Sequence, residues 1–219
     1  MTVSPELTWS LQIGSGIFWT AVYIVIIRLG FRERTYGMPI TALCANISWE
    51  FIFSFVYPHD PPQNYITIVW FVFDLIIVLQ TLQFGRVVFE PPRLFYPAFI
   101  LGLLVSFGAI LAITVQFNDW DGKYSAFGQN LMMSVLFVAM LLRRQDIKGQ
   151  SIYIALGKMV GSLLPSILFF LRFPNSPLLN FLYVSTFIFD LIYVVLLYAK
   201  HKDLGINPWT RVQRKMVAA

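Results

Sequence analysis

The sequence predicts an all-α integral-membrane fold, a bundle of seven transmembrane helices with the N-terminus outside and the C-terminus in the cytoplasm. Three observations predict it. Of 219 residues, 58% are hydrophobic and 12% charged, where a soluble domain carries roughly 25% charge. The apolar residues fall in runs of about 20, long enough to cross a ~30 Å hydrocarbon core. Breakers stand between the runs: Pro58, Pro61 and Pro62, then Pro91 and Pro92, then Pro174 and Pro177. An aromatic fraction of 17% excludes a disordered chain.

In order, the spans are expected at residues 11–29, 38–57, 65–83, 96–116, 126–142, 151–171 and 178–199, with a basic tail over 200–219. They leave no room for a soluble domain, so residues 1–219 read as one membrane domain. Short loops predict that helices adjacent in sequence are neighbours in space. Arg28, Arg32, Arg34, Arg86, Arg93, Arg143, Arg144, Lys148, Lys200, Lys202, Arg211, Arg214 and Lys215 fall on one side of this layout. Only Lys123 and Arg172 fall on the other, and the excess of basic residues marks the cytoplasmic side. Lys158, inside the sixth span, is expected to snorkel toward the cytoplasmic headgroups. The first span lacks a basic n-region and a small-residue cleavage site, which predicts a retained helix. The short loops favour a bacterial plasma membrane, with the endoplasmic reticulum as the setting if the protein is fungal.

The third span contains Phe71-Val72-Phe73-Asp74-Leu75-Ile76 and the seventh Phe187-Ile188-Phe189-Asp190-Leu191-Ile192. The loops before the second and sixth spans also match, each with an arginine five residues before Gly37 or Gly149. Ala42-Leu43 and Ala155-Leu156 follow at nearly the same distance. Both helices of the pair run the same way, which suggests a parallel repeat of three helices, a linker helix and three helices. Small transporters also use such repeats.

Glu50, Asp74 and Asp190 lie within the spans. An acid at a span centre opposes insertion by about 3 kcal/mol, so three oppose it by roughly 9 kcal/mol unless they face one another or a polar cavity. Helical rise puts them at similar depth. Asn46 is one turn from Glu50 on the same face. Thr67, Trp70, Asp74 and Thr81 form one stripe, and Tyr183, Thr186, Asp190 and Tyr193 another; both are expected to face the bundle interior. A carboxyl group that stays neutral in an enclosed apolar pocket is a proton donor. Aromatic faces such as Trp49, Phe53, Trp70 and Tyr193 stabilise cations. A strong acid with aromatic walls suits carbocation chemistry on a lipophilic substrate, and equally a proton-coupled carrier.

Other functions are disfavoured by what the chain lacks. Cys44 is the single cysteine, and His59 and His201 stand far apart, so no metal centre is expected. The seventh span has no lysine for a retinal Schiff base. Asp119-Trp120-Asp121 reads as a solvated turn. No Asp-rich diphosphate motif, phosphate loop or dinucleotide fingerprint occurs, and the basic residues lie along a membrane surface, so nucleic-acid binding is not expected.

The segment Phe31-Arg32-Glu33-Arg34-Thr35-Tyr36-Gly37-Met38, followed by Leu43-Cys44-Ala45-Asn46-Ile47-Ser48-Trp49-Glu50, closely resembles the small seven-helix membrane terpene cyclases. These serve fungal meroterpenoid and indole-diterpene pathways, include the paspaline-type cyclases, and have bacterial relatives. Asn175-Ser176-Pro177-Leu178, Asp190, the seven-span layout and the basic tail extend the resemblance. It implies a cyclase in which Glu50 is the proton donor and Asp190 a second required carboxylate. Asp74 would mark a subgroup. The implied substrate is a lipophilic aromatic or indole compound whose prenyl chain ends in an epoxide or alkene. No metal, nucleotide or redox cofactor is implied. Catalytic candidates are thus Glu50, Asp190 and Asp74. Asp190 is expected to orient Glu50 or to return its proton, while Asn46, Trp49, Trp70, Tyr193, Phe53 and Tyr183 are expected at the substrate. The alternative is a small proton-coupled transporter with a buried carboxylate site.

Overall fold

The computed structural model describes residues 3–212; Arg214 and Lys215 of the basic tail lie outside them. Among the described residues the chain forms seven helices and no strand: α1 (Pro5–Glu33), α2 (Ile40–Phe51), α3 (Gln63–Val88), α4 (Phe95–Gln116), α5 (Lys123–Arg143), α6 (Ile152–Arg172) and α7 (Pro177–Asp203). Six are long and apolar enough to cross a membrane, and a shorter apolar helix runs over Ile40–Val56. Large apolar side chains such as Leu101, Leu104, Val105, Phe181 and Val184 point outward. In water that surface would be prohibitive; against lipid it is the solvated face. The protein is an integral membrane protein.

Several helices outrun the hydropathy windows because capping, not hydrophobicity, ends them. Ser4 accepts a hydrogen bond from the Leu7 amide at 3.3 Å and Pro5 starts the first turn of α1. Arg34, in the left-handed region at φ 50°, stops it. Ser151 caps α6. Straight after α2 the chain widens into a π-helical turn, Ile52–Val56, in which the Tyr57 amide reaches the Ile52 carbonyl at 2.8 Å.

Sequence neighbours are not always spatial neighbours. α1 packs along α6 and α3 rather than along α2, and α5 along α7 and α2 rather than along α6. In each group of three, the third helix lies between the first two. The long α1–α6 contact has its mirror in the α2–α5 contact, and α4 rests mainly on α2. The repeat-related glycines of the two loops meet: a Cβ on Gly37 would stand 2.8 Å from the Gly149 carbonyl oxygen. The helices thus contact one another as two groups of three, with α4 resting beside α2.

The α1–α6 seam explains how aromatic residues reach the interior. Gly157 and Gly161, four apart on α6, let α1 approach; an added Cβ would lie 2.6 Å from Val22 and 2.8 Å from Trp19. Pro165 has no N–H for the Gly161 carbonyl four residues earlier. The Ser15 hydroxyl of α1 donates to that carbonyl instead, at 2.8 Å.

Candidate active site

A cavity of about 330 Å³ runs inward from the end of the bundle that carries the N-terminus. Its walls come from α1, α2, α3, α5 and α6 and from the loops before α3 and α5; no residue of α4 or α7 lines it. Trp19, Trp49, Trp70, Phe127 and Phe169 supply aromatic faces. Glu50, Asn46 and Tyr23 lie deeper, near mid-bundle.

The Glu50 carboxyl group is held on one oxygen. Its Oε1 accepts from the Tyr23 hydroxyl at 2.7 Å and from Asn46 Nδ2 at 2.8 Å. Asn46 Nδ2 also reaches Asp74 Oδ2 at 2.9 Å and the Tyr23 oxygen at 2.6 Å. An amide has two N–H donors, so one of these contacts is shared. Glu50 Oε2 is buried without a hydrogen-bond partner. Asp74 is fully buried behind Asn46 and does not line the cavity. Two of the three intramembrane acids thus answer to one asparagine.

Asp190 is held differently, also on one oxygen, its Oδ2 being buried without a hydrogen-bond partner. Its Oδ1 accepts from Lys158 Nζ at 2.6 Å, both side chains being 1% exposed. The same ammonium group donates to Ser134 Oγ at 2.6 Å and to Asn130 Oδ1 at 3.5 Å. Lys158 therefore does not snorkel: a buried anion at hydrogen-bond distance outweighs the distant headgroups, because each charge would otherwise be desolvated alone. Asp190 makes its bond to Lys158 and none to Glu50, so it does not orient Glu50 directly.

The remaining expected residues divide by place. Trp49 and Trp70 line the cavity; the Trp49 N–H is committed to the Gly122 carbonyl at 3.1 Å, whereas Trp70 Nε1 is buried without a partner. Phe53 lies outside the walls, stacked on His59 at 5.1 Å and pressed on Gly122. Tyr183 packs edge-on against Phe127 at 4.6 Å. Tyr193 is fully buried near the other end, its hydroxyl on Gln150 Oε1 at 3.2 Å. Both tyrosines belong to α7, which the flanking helices screen from the cavity.

Sequence reasoning missed Tyr23, Trp19, Asn130 and His59. Tyr23 and Trp19 form an i,i+4 aromatic pair in α1 that would have been visible as a stripe. His59 sits at the mouth, its Nε2 3.0 Å from the Asp121 carbonyl. A carbonyl only accepts, so Nε2 carries the hydrogen. Burial lowers the pKa of this imidazole. The nearby turn is not simply solvated: Asp119 is fully buried, taking the Tyr124 amide at 2.7 Å and Lys123 Nζ at 2.6 Å. It caps α5, whose first amides would otherwise be unpaired. Among the described residues, no three of His, Cys, Asp or Glu gather as metal ligands.

Comparison with known proteins agrees with this interior. The chain is 34% identical over 199 residues to Pyr4-family terpene cyclase mfmH of Annulohypoxylon moriforme, covering 84% of this chain and 82% of that one. It is 27% identical over 177 residues to terpene cyclase pyr4 of Aspergillus fumigatus, covering 77% and 72%. It is 26% identical over 187 residues to asnovolin H synthase nvfL of Aspergillus novofumigatus, covering 78% and 76%. No solved structure is significantly similar. Residues 4–203 match one family throughout, from the cap of α1 to the last turn of α7. On that span of agreement, the chain belongs to the Pyr4-like transmembrane terpene cyclases.

Proposed function

We propose that this protein cyclises a prenyl chain carried on an aromatic or indole head group, and that Glu50 starts the reaction. Neutral Glu50 gives its proton to the terminal epoxide or alkene of the chain. The resulting cation is attacked by the next double bond, rings close in turn, and loss of a proton ends the cascade. One proton enters and one leaves, no electron is consumed, and substrate and product have equal mass. The steps as written need no metal or redox cofactor.

The observation that carries this reading is the asymmetry of Glu50. Tyr23 and Asn46 engage Oε1, and no donor reaches Oε2, which leaves Oε2 as the oxygen to carry the proton of a residue that lines the cavity. An acid held by fixed hydrogen bonds needs little reorganisation as charge develops. The faces of Trp19, Trp49 and Trp70 stand where a migrating cation would benefit from the ring quadrupole. Asp74 acts through Asn46, as a positioning residue.

The test uses membranes containing the wild-type protein or Glu50→Gln. Each is incubated with farnesylated and geranylgeranylated aromatics and indoles, with and without a terminal epoxide. A new chromatographic peak at the substrate's own mass, formed only by the wild-type protein, is expected. Equal turnover by folded Glu50→Gln would remove Glu50 from the mechanism. No isomer from any substrate would remove the reaction itself.

A further inference from the structure

Behind the cavity wall, α5, α6 and α7 meet around a single ammonium group. Lys158 Nζ donates to Asp190 Oδ1 (2.6 Å), Ser134 Oγ (2.6 Å) and Asn130 Oδ1 (3.5 Å). Three donors meet three acceptors, so the ammonium is fully satisfied. Ser162 Oγ also approaches Asn130 Oδ1, at 3.3 Å. Asn130 itself lines the cavity.

This arrangement settles which way the Asn130 amide points. An asparagine can ordinarily be turned end for end without changing its shape. Here an ammonium group, which has no acceptor, faces one end of it, so that end is the oxygen. The NH₂ group is thereby turned away from Lys158 and toward the cavity, and it donates to no other described residue. By helical rise, Asn130 lies about 10 Å from the start of α5, and Glu50 about 9 Å from the end of the π-helical turn that follows α2. The two groups stand at similar depth, on helices that pack together.

A donor fixed at this depth has no use for a hydrocarbon chain. Left unpaired beside one, it would cost the desolvation of an N–H. We infer that Asn130 donates a hydrogen bond from Nδ2 to an oxygen atom of the bound substrate, and that Lys158, itself held by Asp190, is the positioning residue that aims this donor. This rests on the cyclase reading above. It gives Asp190 a part in the reaction without contact with substrate: it keeps the ammonium in place, and the ammonium keeps the amide turned.

The variants are Asn130→Leu, the charge-free pair Lys158→Met with Asp190→Leu, and the combination of all three. The paired variant is chosen because Lys158→Met alone would strand a buried carboxylate and endanger folding. Initial rates give kcat and KM separately, and the thermal midpoint in detergent reports folding. Asn130→Leu is expected to lower kcat/KM at least about tenfold, the worth of one well-placed hydrogen bond to a desolvated group, with a modest fall in the midpoint because the buried Lys158 ammonium also loses an acceptor. The paired variant should show a loss of similar size. Added to Asn130→Leu, it should lower kcat/KM less than about twofold further, because both act through one donor.

Substrate analogues identify the oxygen. One series lacks the head-group oxygen, and another ends in an alkene instead of an epoxide. The Asn130→Leu penalty should vanish for the series lacking the recognised atom. A penalty that persists with every analogue, normal kcat/KM in Asn130→Leu, or losses that multiply in the combined variant each overturn the inference while leaving Glu50's role intact. A wild-type protein with no turnover on any substrate fails the cyclase reading, and this inference with it.

Discussion

Asn46 and Lys158 hold corresponding acids in the two halves of the bundle. Asn46 follows Ala42 by four residues in α2 and binds Asp74 of α3 at 2.9 Å; Lys158 follows Ala155 by three in α6 and binds Asp190 of α7 at 2.6 Å. The same short motif thus places an acid in α3 and in α7, and each acid meets a different partner. Where the partner is a neutral amide, the amide has capacity left for Glu50. Where it is an ammonium, the acid is locked into an ion pair and its half turns an asparagine toward the cavity instead.

Tyr23→Phe tests how tightly Glu50 must be held. It removes the hydroxyl 2.7 Å from Oε1 and leaves the ring. Glu50 becomes a carboxylate as it gives up its proton, and a hydrogen bond to a charged group contributes about 1.5–3 kcal/mol, so kcat should fall roughly 10- to 100-fold with little change in KM. Initial rates in membranes check this. An unchanged kcat would mean that Asn46 alone suffices.

Asp74 can be separated into its acceptor and its charge. Asp74→Asn keeps an oxygen for Asn46, whereas Asp74→Leu removes it. The first should retain activity within about tenfold, and the second should lose far more, since Asn46 is then free to rotate away from Glu50. Equal and severe loss in both would show that Asp74 handles the proton itself.

The α1–α6 seam carries a stability prediction. Gly161→Ala places a Cβ 2.8 Å from Trp19 Cδ1, and overpacking of this kind costs about 1–3 kcal/mol. A lower thermal midpoint in detergent is expected, with altered product proportions because Trp19 walls the cavity.

Ser15 and Pro165 should be coupled. Ser15→Ala leaves the Gly161 carbonyl without its 2.8 Å donor, at a cost of about 1–3 kcal/mol for a buried acceptor. In a Pro165→Ala background the helix supplies its own N–H, and the same change should cost little. Equal costs in the two backgrounds would break the link.

His59 gives the loop at the cavity mouth a pH dependence. Burial lowers its pKa, so the folded protein binds the proton more weakly than the unfolded chain. Its contribution to stability is present above the unfolded value of about 6.5 and is lost as pH falls toward the lower folded value. The thermal midpoint should drop between about pH 7.5 and about pH 5.5, and drop less in His59→Gln. An identical drop in both proteins would assign the effect elsewhere.

Seven helices and three buried acids are legible in the sequence because the bilayer enforces both: length follows from thickness, and a carboxylate in a span needs a reason. Lys158 is subject to the same rule, and its similar depth to Asp190 was the available signal; snorkelling is a solution for a lysine near a helix end, not for one facing an anion. Short loops restrict where the next helix begins, not which face a later helix fills, so α1 and α2, and α5 and α6, are separated although they follow one another. α3 and α7 slip between their predecessors, and that order sets Tyr183 and Tyr193 behind the wall. The π-helical turn after α2 has no hydropathy signature, and the roles of Tyr23 and Asn130 depend on partners from distant helices. Those partners appear only when the chain is folded.

The contact between Gly37 and Gly149 has a bearing on traffic. Backbone touches backbone there, at the end of the bundle opposite the mouth, and no cavity-lining residue comes from that end. A carrier must open to two compartments in turn; among the described residues this cavity is lined from the mouth end to mid-bundle only. A product that leaves by the mouth backs out along the path by which its precursor came in. Product and substrate compete for the same passage, so accumulated product should slow the enzyme as a competitive inhibitor, relieved by whatever membrane or partner draws it away.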